Sequence, residues 1–224
     1  MKEKLITEFI GTFFLYLIIG FTAVLSGAGN FSPLAIGIGL AALIFASGHR
    51  SKAHFNPAVT IAFLASKNQP AKEVIPYILT ICFGAVAAAY CLQLIQPEAV
   101  ALFKSNALGF HHKEGFILLS ALLSEFVFTF ALVWVVLNVA LAKGTEGNGF
   151  YGIAIGFMVA AGVYSVGAIS GASFNPAVNI GLFIHQVIDL EILITYTLVQ
   201  VFAGLSAAVL FNYLEQEGND TCSI

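Results

Sequence analysis

The chain has 224 residues, 59% of them hydrophobic and only 9% charged, with a formal net charge of −3 and a mean hydropathy of +0.93. An ordinary soluble domain carries about 25% charged residues, so water is not the solvent for most of this surface and a soluble globular domain is excluded. Three cysteines, Cys82 and Cys91 in an apolar run and Cys222 in a polar tail, show neither paired spacing nor a metal-ligand pattern with the five histidines; no structural disulfide and no metal are expected.

The first apolar run, Leu5 to Leu25, is long enough to cross a hydrocarbon core about 30 Å thick and lacks a clear small-residue cleavage site. It reads as a retained helix rather than a signal peptide. Further spanning runs follow at about 34–49, 74–95, 116–141, 150–169 and 190–213, which makes six. Two apolar segments at about 57–66 and 176–186 reach only about 15 Å at 1.5 Å per residue and cannot cross alone. A polar tail occupies about 215–224. With the N-terminus inside, Lys2, Lys4, Arg50, Lys52, Lys67, Lys72 and Lys143 fall on the cytoplasmic side, leaving Lys104 and Lys113 outside; the positive-inside rule favours that orientation, with both termini cytoplasmic.

The chain repeats itself. Glu8-Phe9-Ile10-Gly11-Thr12-Phe13 returns as Glu125-Phe126-Val127-Phe128-Thr129-Phe130, and Ala35-Ile36-Gly37 as Ala154-Ile155-Gly156. In the same register, Ser51-Lys52-Ala53-His54-Phe55-Asn56-Pro57-Ala58-Val59 returns as Ser170-Gly171-Ala172-Ser173-Phe174-Asn175-Pro176-Ala177-Val178. Each copy (about 3–95 and 116–214) carries three spans, an odd number, so the second enters the membrane inverted and the two short segments dip in from opposite faces. The whole reads as one transmembrane domain over 1–224.

At Asn56-Pro57 and Asn175-Pro176 the asparagine is a preferred N-cap, and proline suits the first helical position, where a missing N–H costs nothing. Two half-helices from opposite faces bring these N-termini together near the bilayer midplane. Irregular backbone at that depth is tolerated only where it is buried or lines a water-filled cavity, so the loops before the turns are expected to line a path. Helix N-termini repel cations, and asparagine N–H donors can orient a passing water by its oxygen.

Two Asn-Pro-Ala motifs (Asn56, Pro57, Ala58 and Asn175, Pro176, Ala177), each in a Ser-x-x-x-x-Asn-Pro-Ala-Val setting, resemble the aquaporin or major intrinsic protein family across about residues 3–214. The resemblance implies an all-α membrane fold, an aquaporin-like inverted repeat of six transmembrane helices plus two re-entrant half-helices. It also implies one pore per subunit, a homotetramer in the lipid bilayer, no cofactor, no nucleic-acid partner and no enzymatic activity. It makes Glu8 and Glu125 acceptors for loop backbone N–H groups, although an acidic side chain inside a span by itself suggests a proton relay or coupling-ion site. Ala53, His54, Phe55, Gly171 and Ser173 become pore-lining loop residues. His111 and His112 read as a solvated pair in the outer loop, and Gly84, Ala85, Ala88, Ala89, Gly204, Ala207 and Ala208 as small residues permitting close helix approach.

One departure bears on selectivity. Most members place arginine directly after the second motif; here Val178 stands there, and Arg50 is the chain's only arginine. Family spacing assigns the other filter positions to Ile36, Val163 and Ala172, giving an apolar quartet similar to that of certain plant tonoplast intrinsic proteins. The expected permeants are water and small neutral solutes: ammonia, hydrogen peroxide and urea. Val178-Asn179 replaces the arginine-aspartate of glycerol facilitators, and Leu198-Val199-Gln200-Val201 replaces the usual aromatic-proline stretch of the sixth span. A plasma (inner) membrane is the expected location. The competing classes are an ion-coupled secondary transporter, which would need Glu8 and Glu125 as its ion site, and an intramembrane hydrolase, for which no serine-histidine pairing is evident.

Overall fold

The computed structural model describes residues 1–106 and 115–221. Among these the regular elements are all helical: α1 (Lys2–Ile19), α2 (Ser32–Ser51), α3 (Pro57–Ala65), α4 (Ala71–Ile95), α5 (Pro97–Asn106), α6 (Leu118–Leu141), α7 (Tyr151–Ser170), α8 (Pro176–Ile184) and α9 (Leu190–Thr221), with short 3₁₀ and π turns between them. Six helical segments are long and apolar enough to cross a membrane, and they coincide with the six spans read from the sequence. His111, His112, Lys113 and Cys222 lie outside the described residues.

The helices pack as two interlocked copies of one arrangement. α1 lies against α2 and α4 as α6 lies against α7 and α9, and α2 meets its own repeat mate, α7. Each half-helix packs against the last helix of the other copy, α3 on α9 and α8 on α4. The α2–α7 crossing is a backbone contact: a Cβ on Gly37 would collide with the Gly156 carbonyl, and one on Gly156 with the Gly37 carbonyl. No side chain larger than hydrogen fits there, and these two glycines are repeat mates. The α1–α4 crossing has the same cause, since a Cβ on Gly84 would stand 2.7 Å from the Phe9 carbonyl oxygen. Ala85, Ala88 and Ala89 on α4 and Ala207 and Ala208 on α9 are fully buried. Ile6, Leu79, Phe83, Leu123, Phe157, Leu198 and Phe202 are more than half exposed on the perimeter, where apolar lipid rather than water solvates them.

The structure adds three features. The first span ends in a π-helical turn, Gly20–Val24. The outer loop contains α5, with proline first, Glu98 in the first turn and Lys104 in the last, all suited to the helix dipole. The polar stretch expected from 215 continues α9 to Thr221 rather than leaving the helix.

Candidate functional site

The two Asn-Pro-Ala turns form equivalent caps. Asn56 and Asn175 adopt extended backbone (φ −153°, ψ 120° and φ −155°, ψ 115°), and their Oδ1 atoms accept from the N–H of Ala58 (2.8 Å) and Ala177 (2.9 Å). Proline at the first helical position leaves that next N–H as the one the cap can satisfy. The amide nitrogens cross over: Asn56 Nδ2 donates to the Phe174 carbonyl (2.9 Å) and Asn175 Nδ2 to the Phe55 carbonyl (2.8 Å). The N-termini of α3 and α8 are thereby tied to each other's loops. An amide NH₂ has two hydrogens, so each asparagine retains one donor.

The loops preceding the turns are backbone structures held from behind. Ala53, Phe55, Ala172 and Phe174 have φ of 51°, 47°, 52° and 48°, a left-handed region costing about 1–3 kcal/mol for each non-glycine residue. The compensation comes from buried carboxylates. Glu8 accepts from the N–H of His54 (3.0 Å) and Phe55 (2.8 Å); Glu125 accepts from the N–H of Ser173 (3.1 Å) and Phe174 (2.9 Å). The hydroxyls of Ser51 and Ser170 take the N–H of Ala53 and Ala172, while Tyr77 and Tyr196 donate to the Ser51 and Ser170 carbonyls. Among the described residues no peptide is cis, and in a planar trans peptide the C=O points opposite to the next residue's N–H. With the N–H groups of 53–55 and 172–174 turned toward the carboxylate side, the carbonyls of 52–54 and 171–173 turn the other way.

That other way is a cavity of about 840 Å³, lined by Ala53, His54 and Phe55 from one loop and by Gly171, Ala172 and Ser173 from the other. Asn56 and Asn175 line it, as do Ile36, Val163 and Val178, so the sequence-assigned quartet shares one wall system with the paired turns. Pro57, Ala58, Pro176 and Ala177 are buried behind the surface. Glu8 and Glu125, both fully buried, do not face the cavity. The remaining wall is mainly aliphatic, including Leu40, Ile44, Leu132 and Ile155, and among the described residues the one charged lining side chain is Lys52. His54 is 4% exposed; its ring packs on Phe63 and Tyr77, and its Nδ1 lies 3.1 Å from Thr60 Oγ1.

Sequence reading missed a set of residues behind the second loop. Gln200, fully buried, donates through Nε2 to Glu125 Oε2 (2.8 Å) and Ser173 Oγ (2.8 Å), and its Oε1 accepts from Asn179 Nδ2 (2.9 Å). The signal available was an amide in the middle of an apolar span. Tyr16 and His185 form a second buried pair at 2.8 Å that joins α1 to the end of α8.

Comparison with known proteins agrees with this geometry. The model of the family described as major intrinsic protein matches residues 1–160 and 137–223. The chain is 30% identical to Aquaporin AqpM of Methanothermobacter marburgensis, over 97% of this chain and 99% of that one. It is 33% identical to Nodulin-26 of Glycine max (94% and 77%) and 36% identical to Aquaporin Z of Photorhabdus laumondii (83% and 85%). The fold is similar to that of the aquaglyceroporin from Plasmodium falciparum, with a TM-score of 0.76 at 20% identity, covering 95% of this chain and 94% of that one. With six apolar spans, paired capped turns in the wall of one cavity and a family match along the chain, this protein belongs to the major intrinsic protein family of integral membrane channels for water and small solutes.

Proposed function

We propose that the chain is a passive pore for water, ammonia, hydrogen peroxide and urea that excludes ions and protons where α3 and α8 meet. The observation that carries this reading is the reciprocal tie of Asn56 and Asn175 at two opposed helix N-termini in the cavity wall. Each N-terminus carries about +0.5 charge; two of them at about 5 Å with an effective dielectric near 20 oppose a monovalent cation by about 3 kcal/mol before dehydration is counted. A neutral solute meets no such barrier. The free N–H on each asparagine orients a water's oxygen and breaks the donor-acceptor chain that protons would follow.

At the outer constriction, Ile36, Val163, Ala172 and Val178 supply neither charge nor donor, which supports a filter more permissive than one containing arginine. The single domain spans 1–224 as two inverted repeats, works as a homotetramer and sits in the plasma (inner) membrane with both termini cytoplasmic. An ion-coupled transporter is disfavoured because Glu8 and Glu125 spend their oxygens on loop N–H groups. The test is stopped-flow permeation of proteoliposomes with water, ammonia, peroxide, urea and glycerol, with and without an ion gradient. Gradient-independent flux of water and at least one of ammonia, peroxide or urea, without ion leak, is expected. Water flux alone would sink the permissive filter, and gradient-dependent uptake would sink the passive pore.

A further inference from the structure

The two loops are held by matched groups up to a point. Glu8 and Glu125 each take two loop N–H groups and one serine hydroxyl, from Ser51 and Ser170 respectively. Beyond that the halves differ. Glu125 also receives Ser173 Oγ and Gln200 Nε2, whereas the repeat mates of Ser173 and Gln200 are His54 and Ile81, and Ile81 carries no polar atom.

The direction of each proton in this cluster can be followed. Gln200 uses both amide hydrogens, on Glu125 Oε2 and Ser173 Oγ. An amide flip would aim its carbonyl oxygen at the Glu125 carboxylate and its NH₂ at the NH₂ of Asn179, so the carboxylate fixes its orientation. Because Ser173 Oγ accepts from Gln200, its single proton goes to Glu125 Oε2 at 3.2 Å. That bond is long for O–H···O, whose usual length is about 2.7–2.8 Å, whereas the Gln200 bond is 2.8 Å. Gln200 therefore supplies the stronger hold on the Ser173 side chain. The other hydroxyls lining this stretch are also committed inward: Ser170 donates to Glu125 Oε1 and Tyr196 to the Ser170 carbonyl. Between the filter quartet and the paired asparagines, the wall offers the carbonyls of 171–173 and the lone pair of Ser173, all acceptors.

We propose that Gln200 is a positioning residue for selectivity: by holding the Ser173 hydroxyl against Glu125, it keeps the outer half of the pore free of hydrogen-bond donors. This rests on the pore reading above. A lumen of acceptors pairs the N–H groups of ammonia and urea alike but leaves solute acceptors unpaired, which costs urea, whose carbonyl oxygen has two lone pairs, more than ammonia, whose nitrogen has one. An unpaired acceptor loses the full worth of the hydrogen bond it had in water.

The test compares ammonia and urea permeability, each divided by water permeability, in proteoliposomes of wild type, Gln200→Met and Gln200→Met/Ser173→Ala. Methionine keeps the volume and removes every donor, freeing the serine hydroxyl to turn into the lumen. The ammonia-to-urea ratio should fall about fivefold in Gln200→Met, the factor corresponding to one neutral hydrogen bond. It should return toward the wild-type ratio in the double variant, which has no hydroxyl to turn. An unchanged ratio in Gln200→Met, or a fall that Ser173→Ala does not reverse, overturns the proposal; the second outcome is what general loosening of the loop would give. Should Gln200→Met fail to assemble, Gln200→Leu decides in its place, because it too removes both donors to Glu125 and Ser173 and must shift the ratio in the same direction. Absence of all flux in folded wild type would instead sink the pore reading.

Discussion

In the proposed filter, Val178 is the single residue whose replacement should change the lumen's chemistry most. Arginine there would place a planar charge with several donors in the path, in a cavity wall that also includes Ile36 and Val163. Val178→Arg should lower ammonia and urea permeability relative to water by about tenfold or more, the factor for about 1.4 kcal/mol, measured in one lipid and normalised to inserted protein. Equal ratios in both proteins would mean that the constriction lies elsewhere. The asparagines carry the opposite expectation. Asn56→Asp or Asn175→Asp sets a negative charge beside two positive helix ends, cancelling part of a barrier of about 3 kcal/mol. Cation conductance in planar bilayers should rise while water flux persists; silent currents from a correctly assembled variant would count against the helix-end barrier.

At the scale of elements, backbone contact and loop support hold the architecture. Gly37 and Gly156 let α2 and α7 touch main chain to main chain. Gly156→Val should lower stability by about 1–3 kcal/mol, the usual cost of overpacking, visible as a lower unfolding midpoint in detergent; an unchanged midpoint would mean that the crossing is loose. α4 permits a separate check, because Cys82 and Cys91 sit on it and neither lines the cavity. Mercurials should leave water flux largely intact. Full reversible block that disappears in Cys82→Ser or Cys91→Ser would show that α4 contributes to the pore wall.

The described residues present an apolar perimeter and hold the cavity within the single chain, so assembly is not needed to form the proposed path. A homotetramer is what the family resemblance implies, and light scattering in detergent is then expected to give a protein mass of four times 23.8 kDa. A monomer with full water permeability would refute the tetramer without touching the pore.

The sequence by itself determined the spans, the inverted repeat and the two capped turns, while Ile36, Val163, Ala172 and Val178 were assigned through the family resemblance and line the cavity. Each of these depends on local or periodic information: apolar run length, an N-cap before proline, or fixed spacing from a motif. It could not place α5, whose ten residues lie in a loop of mixed polarity without a spanning run, and it marked a polar tail where α9 continues to Thr221. Only the tertiary structure decided what Gln200 does, and it alone fixes the distances at which Glu8 and Glu125 take the loop N–H groups that the family resemblance implies for them. Glu8 lies 46 and 47 residues from the N–H groups it holds, and Gln200 lies 75 residues from Glu125. A hydrogen bond depends on distance and angle between atoms, and across such separations those are set by how helices cross, so an amide that looks unplaced in an apolar span becomes the clamp of the outer loop once α9 packs against α6.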